Sequence, residues 1–244
     1  MPETIVLLHG FSGTSRAWDG VVEYLDPERY RPLALDLPGH GAEATHRPPI
    51  TFASCVEHVL AQAPERFALC GYSLGGRVAL HVALAAPERI TSLTIVSANP
   101  GIEDALERAA RRRVDRQLAD ELEHIPFEDF IERWRTQPLF AEDPPEVGEL
   151  ARADQRRNSP WALAEVLRGL GVGEMASLWG RLDELGMPVS VIVGDRDEKF
   201  LTIGRRLAEE VLHGSVVVLE GGHGLPLENP AGIAELLAGG RSAG

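Results

Sequence analysis

The sequence predicts an α/β fold, a mostly parallel six-stranded sheet flanked by helices, with an all-helical insertion. Two observations predict it. At both ends of the chain short apolar runs alternate with helical patterns, and residues 99–186 replace this alternation with a charged, Trp-rich helical stretch. Strands that alternate with helices along a chain favour a parallel sheet covered by helices on both faces.

The predicted elements follow in chain order. Strands are predicted at Thr4–Leu8, Pro32–Leu37, Phe67–Gly71, Leu93–Ala98, Val189–Val193 and Val216–Leu219. Helices are predicted at Ser15–Leu25, Phe52–Ala63, Leu74–Ala85, Phe200–Leu212 and Ala231–Leu237. Right-handed crossovers between parallel strands then determine most of the topology. We therefore expect residues 1–98 and 187–244 to form the core, with residues 99–186 inserted after the fourth strand as a helical cap, or lid.

Composition narrows the function classes. The 244 residues carry a formal net charge of −13, which argues against a nucleic-acid or anionic-membrane partner. No apolar run approaches the roughly 18 residues of a spanning helix, and the N-terminus lacks a signal-peptide pattern. The two cysteines, Cys55 and Cys70, lie in apolar runs, which favours reduced thiols and a cytoplasmic protein. The sequence also lacks metal-spaced Cys/His clusters and glycine-rich phosphate loops, so we expect no metal and no cofactor. No obligate protein partner is evident.

One serine occupies a position that packing does not explain. Ser73 lies in the run Gly71-Tyr72-Ser73-Leu74-Gly75, between a predicted strand and a predicted helix. A turn this sharp leaves no room for side chains two residues to either side of the serine, and glycine meets that demand. The pattern is typical of a nucleophile elbow, which holds a serine hydroxyl at a helix N-terminus above the sheet.

A serine needs an imidazole and an orienting carboxylate to react, expected in the chain order serine, acid, histidine. After the fifth predicted strand come Asp195 and Asp197, and after the sixth comes His223 among glycines. An oxyanion hole needs two backbone N–H groups. We expect these from Leu74, directly after the serine, and from Phe11 in the loop after the first strand, where His9 is expected to shape the loop.

These motifs, His-Gly-Phe, GYSLGG and GGH, resemble the α/β-hydrolase superfamily over essentially the whole chain. In that family the acid usually lies three residues after the glycine that ends its strand. The resemblance therefore selects Asp197, three residues after Gly194, and leaves Asp195 as the second candidate.

Further segments, including NPG, DRQ, GDRDEKF and the run from Trp134 to Phe140, resemble the 2-succinyl-6-hydroxy-2,4-cyclohexadiene-1-carboxylate synthases of menaquinone biosynthesis. The resemblance implies a lyase that eliminates pyruvate from 2-succinyl-5-enolpyruvyl-6-hydroxy-3-cyclohexene-1-carboxylate. It further implies that the serine acts as a base, or relays to one, and that the oxyanion hole stabilises an enolate.

The same resemblance places substrate contacts at Tyr72, Arg77, Arg111 and Trp134. A further family arginine falls in the second basic stretch, where counting back from Leu163 gives Gln155, and we favour the nearby Arg157 over Arg156. The implied partner is a small-molecule tricarboxylate, and guanidinium groups suit such a ligand. For most of the run from Arg108 to Arg116, a solvated helix face is an equal interpretation.

Two other functions remain open from the sequence. The first is a serine hydrolase of an ester or of a C–C bond in a dienoate-type acidic substrate, which would use the same three residues with water. The second is a catalytically silent member of the fold that acts as a ligand receptor. The intact set of Ser73, Asp197 and His223 argues against the second.

Overall fold

The computed structural model describes residues 2–45 and 49–239 and contains one six-stranded parallel sheet. The strands are β1 Glu3–Leu8, β2 Tyr30–Leu35, β3 Phe67–Tyr72, β4 Ile90–Val96, β5 Val189–Gly194 and β6 Gly214–Leu219. Their order across the sheet is β2-β1-β3-β4-β5-β6, and every neighbouring pair is parallel. The predicted α/β fold is confirmed.

The described helices, in chain order, are α1 Asp19–Tyr24, α2 Phe52–Gln62, α3 Leu74–Ala85, α4 Ala105–His124, α5 Phe127–Arg135, α6 Pro145–Gln155, α7 Pro160–Leu170, α8 Glu198–Glu210, α9 Leu225–Glu228 and α10 Pro230–Gly239. Within the described part of the chain, none of them is both long and apolar enough to cross a bilayer.

The sheet is covered on both faces, and the alternation of side chains along each strand shows it. In β1, Val6 and Leu8 join one buried apolar cluster, whereas Ile5 and Leu7 join another. The first cluster takes side chains from α2, α3 and α8, and the second from α1 and α10. Strands buried on both faces need apolar residues at every position, which explains the continuous apolar runs in the sequence.

Helices α4 to α7 all lie between β4 and β5 in the chain, and α4, α5 and α7 share a third, smaller apolar cluster. Phe130 of α5 and Leu163 of α7 are buried in it, and α4 packs along α7. Phe11 of the core and Trp134 of α5 pack against the same cluster. The helices therefore contact the carboxyl edge of the sheet through the loop after β1. The division at residues 98/99 and 186/187 stays a prediction.

Most predicted boundaries differ from the observed ones by one to three residues, and two of the differences have a cause in the hydrogen bonds. Strand β2 ends at Leu35 rather than Leu37, because the Asp36 carboxylate accepts hydrogen bonds from the backbone N–H groups of Ser15 and Ala42 and the chain turns there. The helix predicted at Ser15–Leu25 is a 3-10 turn over Ser15–Trp18 followed by α1. Thr14 starts that turn by accepting from the Arg16 N–H.

The turn between β3 and α3 has the strained geometry that its sequence predicts. Ser73 has a φ of 51° and a ψ of −108°, a conformation that non-glycine residues rarely adopt. A Cβ at position 71 would lie 2.3 Å from the Gly75 carbonyl oxygen, and one at position 75 would lie 2.2 Å from the Leu8 carbonyl oxygen. Both glycines are therefore required for β1, β3 and α3 to approach closely enough to raise the serine above the sheet.

We expect Gly75→Ala to lower the free energy of unfolding by about 2–4 kcal/mol, because the new methyl group meets backbone that cannot move without displacing β1. Urea denaturation followed by circular dichroism measures this. Gly180→Ala is the matched control, since a Cβ there has nothing within 4 Å. Equal stability of the two variants would contradict the packing argument.

Candidate active site

Three predicted residues meet at the carboxyl edge of the sheet. The His223 Nδ1 lies 2.7 Å from Asp197 Oδ2, and the His223 Nε2 lies 3.2 Å from Ser73 Oγ. Asp197 and His223 are both buried. With the Nδ1 proton donated to the Asp197 carboxylate, Nε2 is left to accept the proton of the Ser73 hydroxyl. This arrangement can remove a proton from Ser73, or from a bound substrate through it.

Each of the three side chains follows a different strand. Ser73 follows β3, Asp197 lies three residues after the end of β5, and His223 follows β6. The acid turn closes when the Asp197 N–H donates to the Gly194 carbonyl oxygen at 3.1 Å. Because parallel strands end at one edge of the sheet, residues 150 positions apart in the chain come within hydrogen-bond distance.

The structure also assigns different contacts to the two candidate acids. Asp197 is buried against the imidazole, whereas the Asp195 side chain is 53% exposed and accepts a hydrogen bond from the Gly221 N–H at 2.9 Å. Asp195 therefore holds the loop that carries His223 and does not contact the imidazole.

The predicted oxyanion donors lie beside the serine. Phe11 and Leu74 both line the cavity into which Ser73 faces, and Leu74 opens α3, whose first-turn N–H groups have no partner within the helix. The buried His9 donates from Nδ1 to the Gly10 carbonyl and accepts from the Leu37 N–H at Nε2. Burial lowers the pKa of His9, so the ring stays neutral and shapes the loop. The roles of Phe11 and Leu74 stay predictions.

A cavity of about 950 Å³ opens above Ser73 between the sheet edge and helices α4, α5 and α7. Four of the predicted substrate contacts line it: Tyr72, Arg77, Arg111 and Trp134. Its volume is at the upper end of the range for small-molecule sites.

Arg77 and Arg111 form a cationic wall that faces this cavity. The Arg77 guanidinium donates to the Leu170 carbonyl at 2.7 Å and forms no ion pair with any described residue. Burial, together with the nearby Arg111 charge, lowers the pKa of Arg77 to about 10, so it still carries its charge at neutral pH. Arg111 donates from Nε to Asp115 at 2.7 Å. Two neighbouring cations with one buried carboxylate between them favour an anionic ligand.

Aromatic rings form the rest of the wall near the serine. The Trp134 ring packs edge-on against Phe11, with centroids 4.9 Å apart, and the Tyr72 ring lies 5.4 Å from the His223 ring. Burial raises the pKa of Tyr72, so its hydroxyl stays protonated. These rings form an aromatic part of the cavity wall near Ser73.

Arg157 is not brought to the cavity, which corrects that expectation. Its guanidinium side chain is 56% exposed and lies 3.8 Å from Asp154, outside the cavity lining. Arg157 lies two residues after the end of α6. Gln155, which simple counting selected, is buried and donates to Ser12 Oγ at 2.9 Å, beside a small side cavity that shares Phe11 and Trp134 with the main one.

Sequence reasoning did not select two other cationic residues that line the cavity, Arg196 and Lys199. Both lie within two residues of Asp197 in the segment GDRDEKF. Their place directly after β5 is the signal in the sequence that could have identified them. Groups of three or more His, Cys, Asp or Glu side chains arranged for a metal ion do not occur among the residues described. The expectations of no metal and no cofactor stay predictions.

Known proteins resemble the chain in sequence and in structure. The α/β-hydrolase family matches residues 5–236. A 2-succinyl-6-hydroxy-2,4-cyclohexadiene-1-carboxylate synthase of Salmonella newport is 34% identical over 96% of this chain and 92% of its own. The solved structure of MenH from S. aureus superimposes with a TM-score of 0.90 at 30% identity, covering 97% of this chain and 92% of that one.

A hydrolase from Pseudomonas aeruginosa shares the fold, with a TM-score of 0.81 at 24% identity over 99% of this chain and 91% of its own. The synthase of Salmonella newport matches over a similar share of both chains at the higher identity of 34%. The chain belongs to the α/β-hydrolase family and, within it, to the 2-succinyl-6-hydroxy-2,4-cyclohexadiene-1-carboxylate synthases.

Proposed function

We propose that this protein is a lyase of menaquinone biosynthesis that eliminates pyruvate from 2-succinyl-5-enolpyruvyl-6-hydroxy-3-cyclohexene-1-carboxylate. The observation that carries the proposal is the combination in one cavity of a Ser73–His223–Asp197 hydrogen-bond chain and two guanidinium groups, Arg77 and Arg111. The substrate is a small molecule with three carboxylates, and such a cationic wall favours it over a neutral ester.

The Ser73 Oγ and His223 Nε2 together form one proton-accepting pair. They remove the proton α to the succinyl ketone, and the electron pair moves onto the ketone oxygen, where the N–H groups of Phe11 and Leu74 stabilise the enolate. When the ketone re-forms, electrons pass through the ring double bond and break the C–O bond to the enolpyruvyl group. The departing enolpyruvate takes up a proton to become pyruvate. Water takes no part, so a hydrolase site performs an elimination.

One comparison of substrates tests this function. The protein is given the enolpyruvyl substrate, and pyruvate is measured by coupled reduction with lactate dehydrogenase, with p-nitrophenyl acetate assayed in parallel. We expect rapid pyruvate release and feeble ester turnover. Fast ester turnover without pyruvate would instead establish the hydrolase, which uses the same three residues with water.

We expect Arg77→Ala and Arg111→Ala each to raise KM about 30- to 150-fold with a smaller effect on kcat, since each removes about 2–3 kcal/mol of charged hydrogen bonding. Steady-state kinetics of pyruvate release measure this. Arg157→Ala is the matched control and should change KM less than about 2-fold, because its side chain lies outside the cavity. An unchanged KM in both cavity variants would remove the argument from the cationic wall.

A cytoplasmic location is part of the proposal. Cys55 and Cys70 are free and buried, as expected for thiols in a reducing compartment. Burial raises the pKa of Cys55 to about 12, so this thiol stays protonated and unreactive. The expected absence of nucleic-acid, membrane and obligate protein partners stays a prediction.

A further inference from the structure

The turn that carries Asp197 and the loop that carries His223 are tied together by hydrogen bonds. The Arg196 N–H donates to the Gly221 carbonyl at 3.0 Å, and the Gly221 N–H donates to Asp195 at 2.9 Å. The two segments are in close contact, because a Cβ at Gly194 would lie 2.2 Å from the Gly221 carbonyl oxygen. These bonds hold the segment just before Gly222 and His223.

Glu228, at the end of α9, holds the next residue of the loop. Gly222 directly precedes His223 in the chain. Its backbone N–H donates to both carboxylate oxygens of Glu228, at 2.9 and 3.0 Å. One of the same oxygens accepts from the Arg196 guanidinium at 2.5 Å. Glu228 therefore accepts hydrogen bonds both from the backbone of Gly222, next to His223, and from the side chain of Arg196, next to Asp197.

The Glu228 carboxylate is buried, with a side-chain exposure of 3%. A charged group in such a place is unfavourable unless hydrogen bonds and an opposite charge compensate it. Burial, with Asp143 nearby, raises the pKa of Glu228, while Arg196 and the loop amides oppose that shift. Glu228 belongs to none of the three apolar clusters. Its side chain accepts hydrogen bonds from the turn that carries Asp197 and from the loop that carries His223.

We propose that Glu228 is a positioning residue for the catalytic histidine: by holding Gly222 and Arg196 together, it sets the distances from His223 to Asp197 and to Ser73. The inference rests on the proposed function of those three residues. It predicts that loss of the carboxylate lowers kcat more than it changes KM, because Glu228 does not itself line the main cavity and reaches it only through Arg196.

Two variants test the inference. Glu228→Ala removes every contact, and we expect kcat for pyruvate release to fall about 30-fold with KM changed less than about 3-fold. Glu228→Gln keeps a carbonyl oxygen for the Gly222 N–H and loses the charge that pairs with Arg196, so we expect a fall of only about 3- to 10-fold. The control is Glu184→Gln, which breaks an exposed ion pair with Arg181 at 2.7 Å and should leave both constants unchanged.

A second readout separates positioning from a general loss of structure. In folded Glu228→Gln, identified by an unchanged circular dichroism spectrum, the proton NMR signal of the His223 Nδ1–H should shift or broaden as its bond to Asp197 loosens. A wild-type kcat and an unmoved signal in this variant would overturn the inference. The wild type and Ser73→Ala are measured in parallel: no pyruvate from the wild type would reject the proposed function itself, whereas an active wild type and an inactive Ser73→Ala beside fully active Glu228 variants reject only the positioning role.

Discussion

Ser73→Ala should lower kcat for pyruvate release by at least about 10³-fold, the largest effect expected of any single substitution in this protein. The hydroxyl lies 3.2 Å from His223 Nε2 and faces the cavity above the elbow. Without it the imidazole loses the hydrogen-bond partner through which the proposed mechanism takes up the substrate proton. Single-turnover measurement of pyruvate checks the result.

The fold should tolerate this change, because it removes a single oxygen atom at a surface of the cavity. Circular dichroism and thermal melting therefore serve as controls for Ser73→Ala. Pyruvate release within about 10-fold of the wild type would show that another group takes the proton, and the proposed mechanism would have to be abandoned.

Asp197→Asn should lower kcat by about 10³-fold, because an amide in place of the carboxylate can no longer fix the tautomer in which His223 Nε2 accepts a proton. The matched control is Asp195→Asn. Its side chain is exposed, and an asparagine oxygen can still accept the Gly221 N–H, so kcat should change less than about 3-fold. The pH profile of kcat/KM provides a second measurement of the imidazole in each variant.

The order of these two effects is the informative outcome. If Asp195→Asn were the more damaging substitution, then Asp195 would be the orienting acid and the assignment from the hydrogen bonds would be wrong. Both substitutions remove one negative charge, and the two aspartates are only two residues apart. A difference in kcat between them therefore reports on where each side chain points and how deeply it is buried, and not on the local charge.

Local patterns in the sequence were sufficient for most of the elements. The predicted helix Leu74–Ala85 matches α3 at both ends, because the glycines of the elbow set its start. The ends of β2 and α1 were less well predicted. The end of β2 depends on Asp36, whose carboxylate accepts from the backbone of Ser15, distant in the sequence, and of Ala42. The start of the turn before α1 depends on Thr14, whose hydroxyl accepts from the Arg16 N–H.

The residues of the cavity wall also differ in how well the sequence predicts them. The family resemblance selected Arg77, Arg111, Tyr72 and Trp134, and all four line the cavity above the serine. Arg157 could not be judged from the sequence, because neighbouring residues at the end of a helix point in different directions and only the fold decides which of them faces the site.

The sequence by itself determined the α/β fold, the position of the elbow, the histidine after the last strand and the family to which the chain belongs. Each of these rests on short motifs or on periodicity, which depend on neighbouring residues alone. The family resemblance favoured Asp197 over Asp195, and the tertiary structure places Asp197 within hydrogen-bond distance of His223. Only the tertiary structure decided that Arg157 lies outside the cavity and that Glu228 joins the two loops. Those contacts join residues from different strands and helices, and their geometry exists only once the sheet brings the carboxyl ends of its strands together.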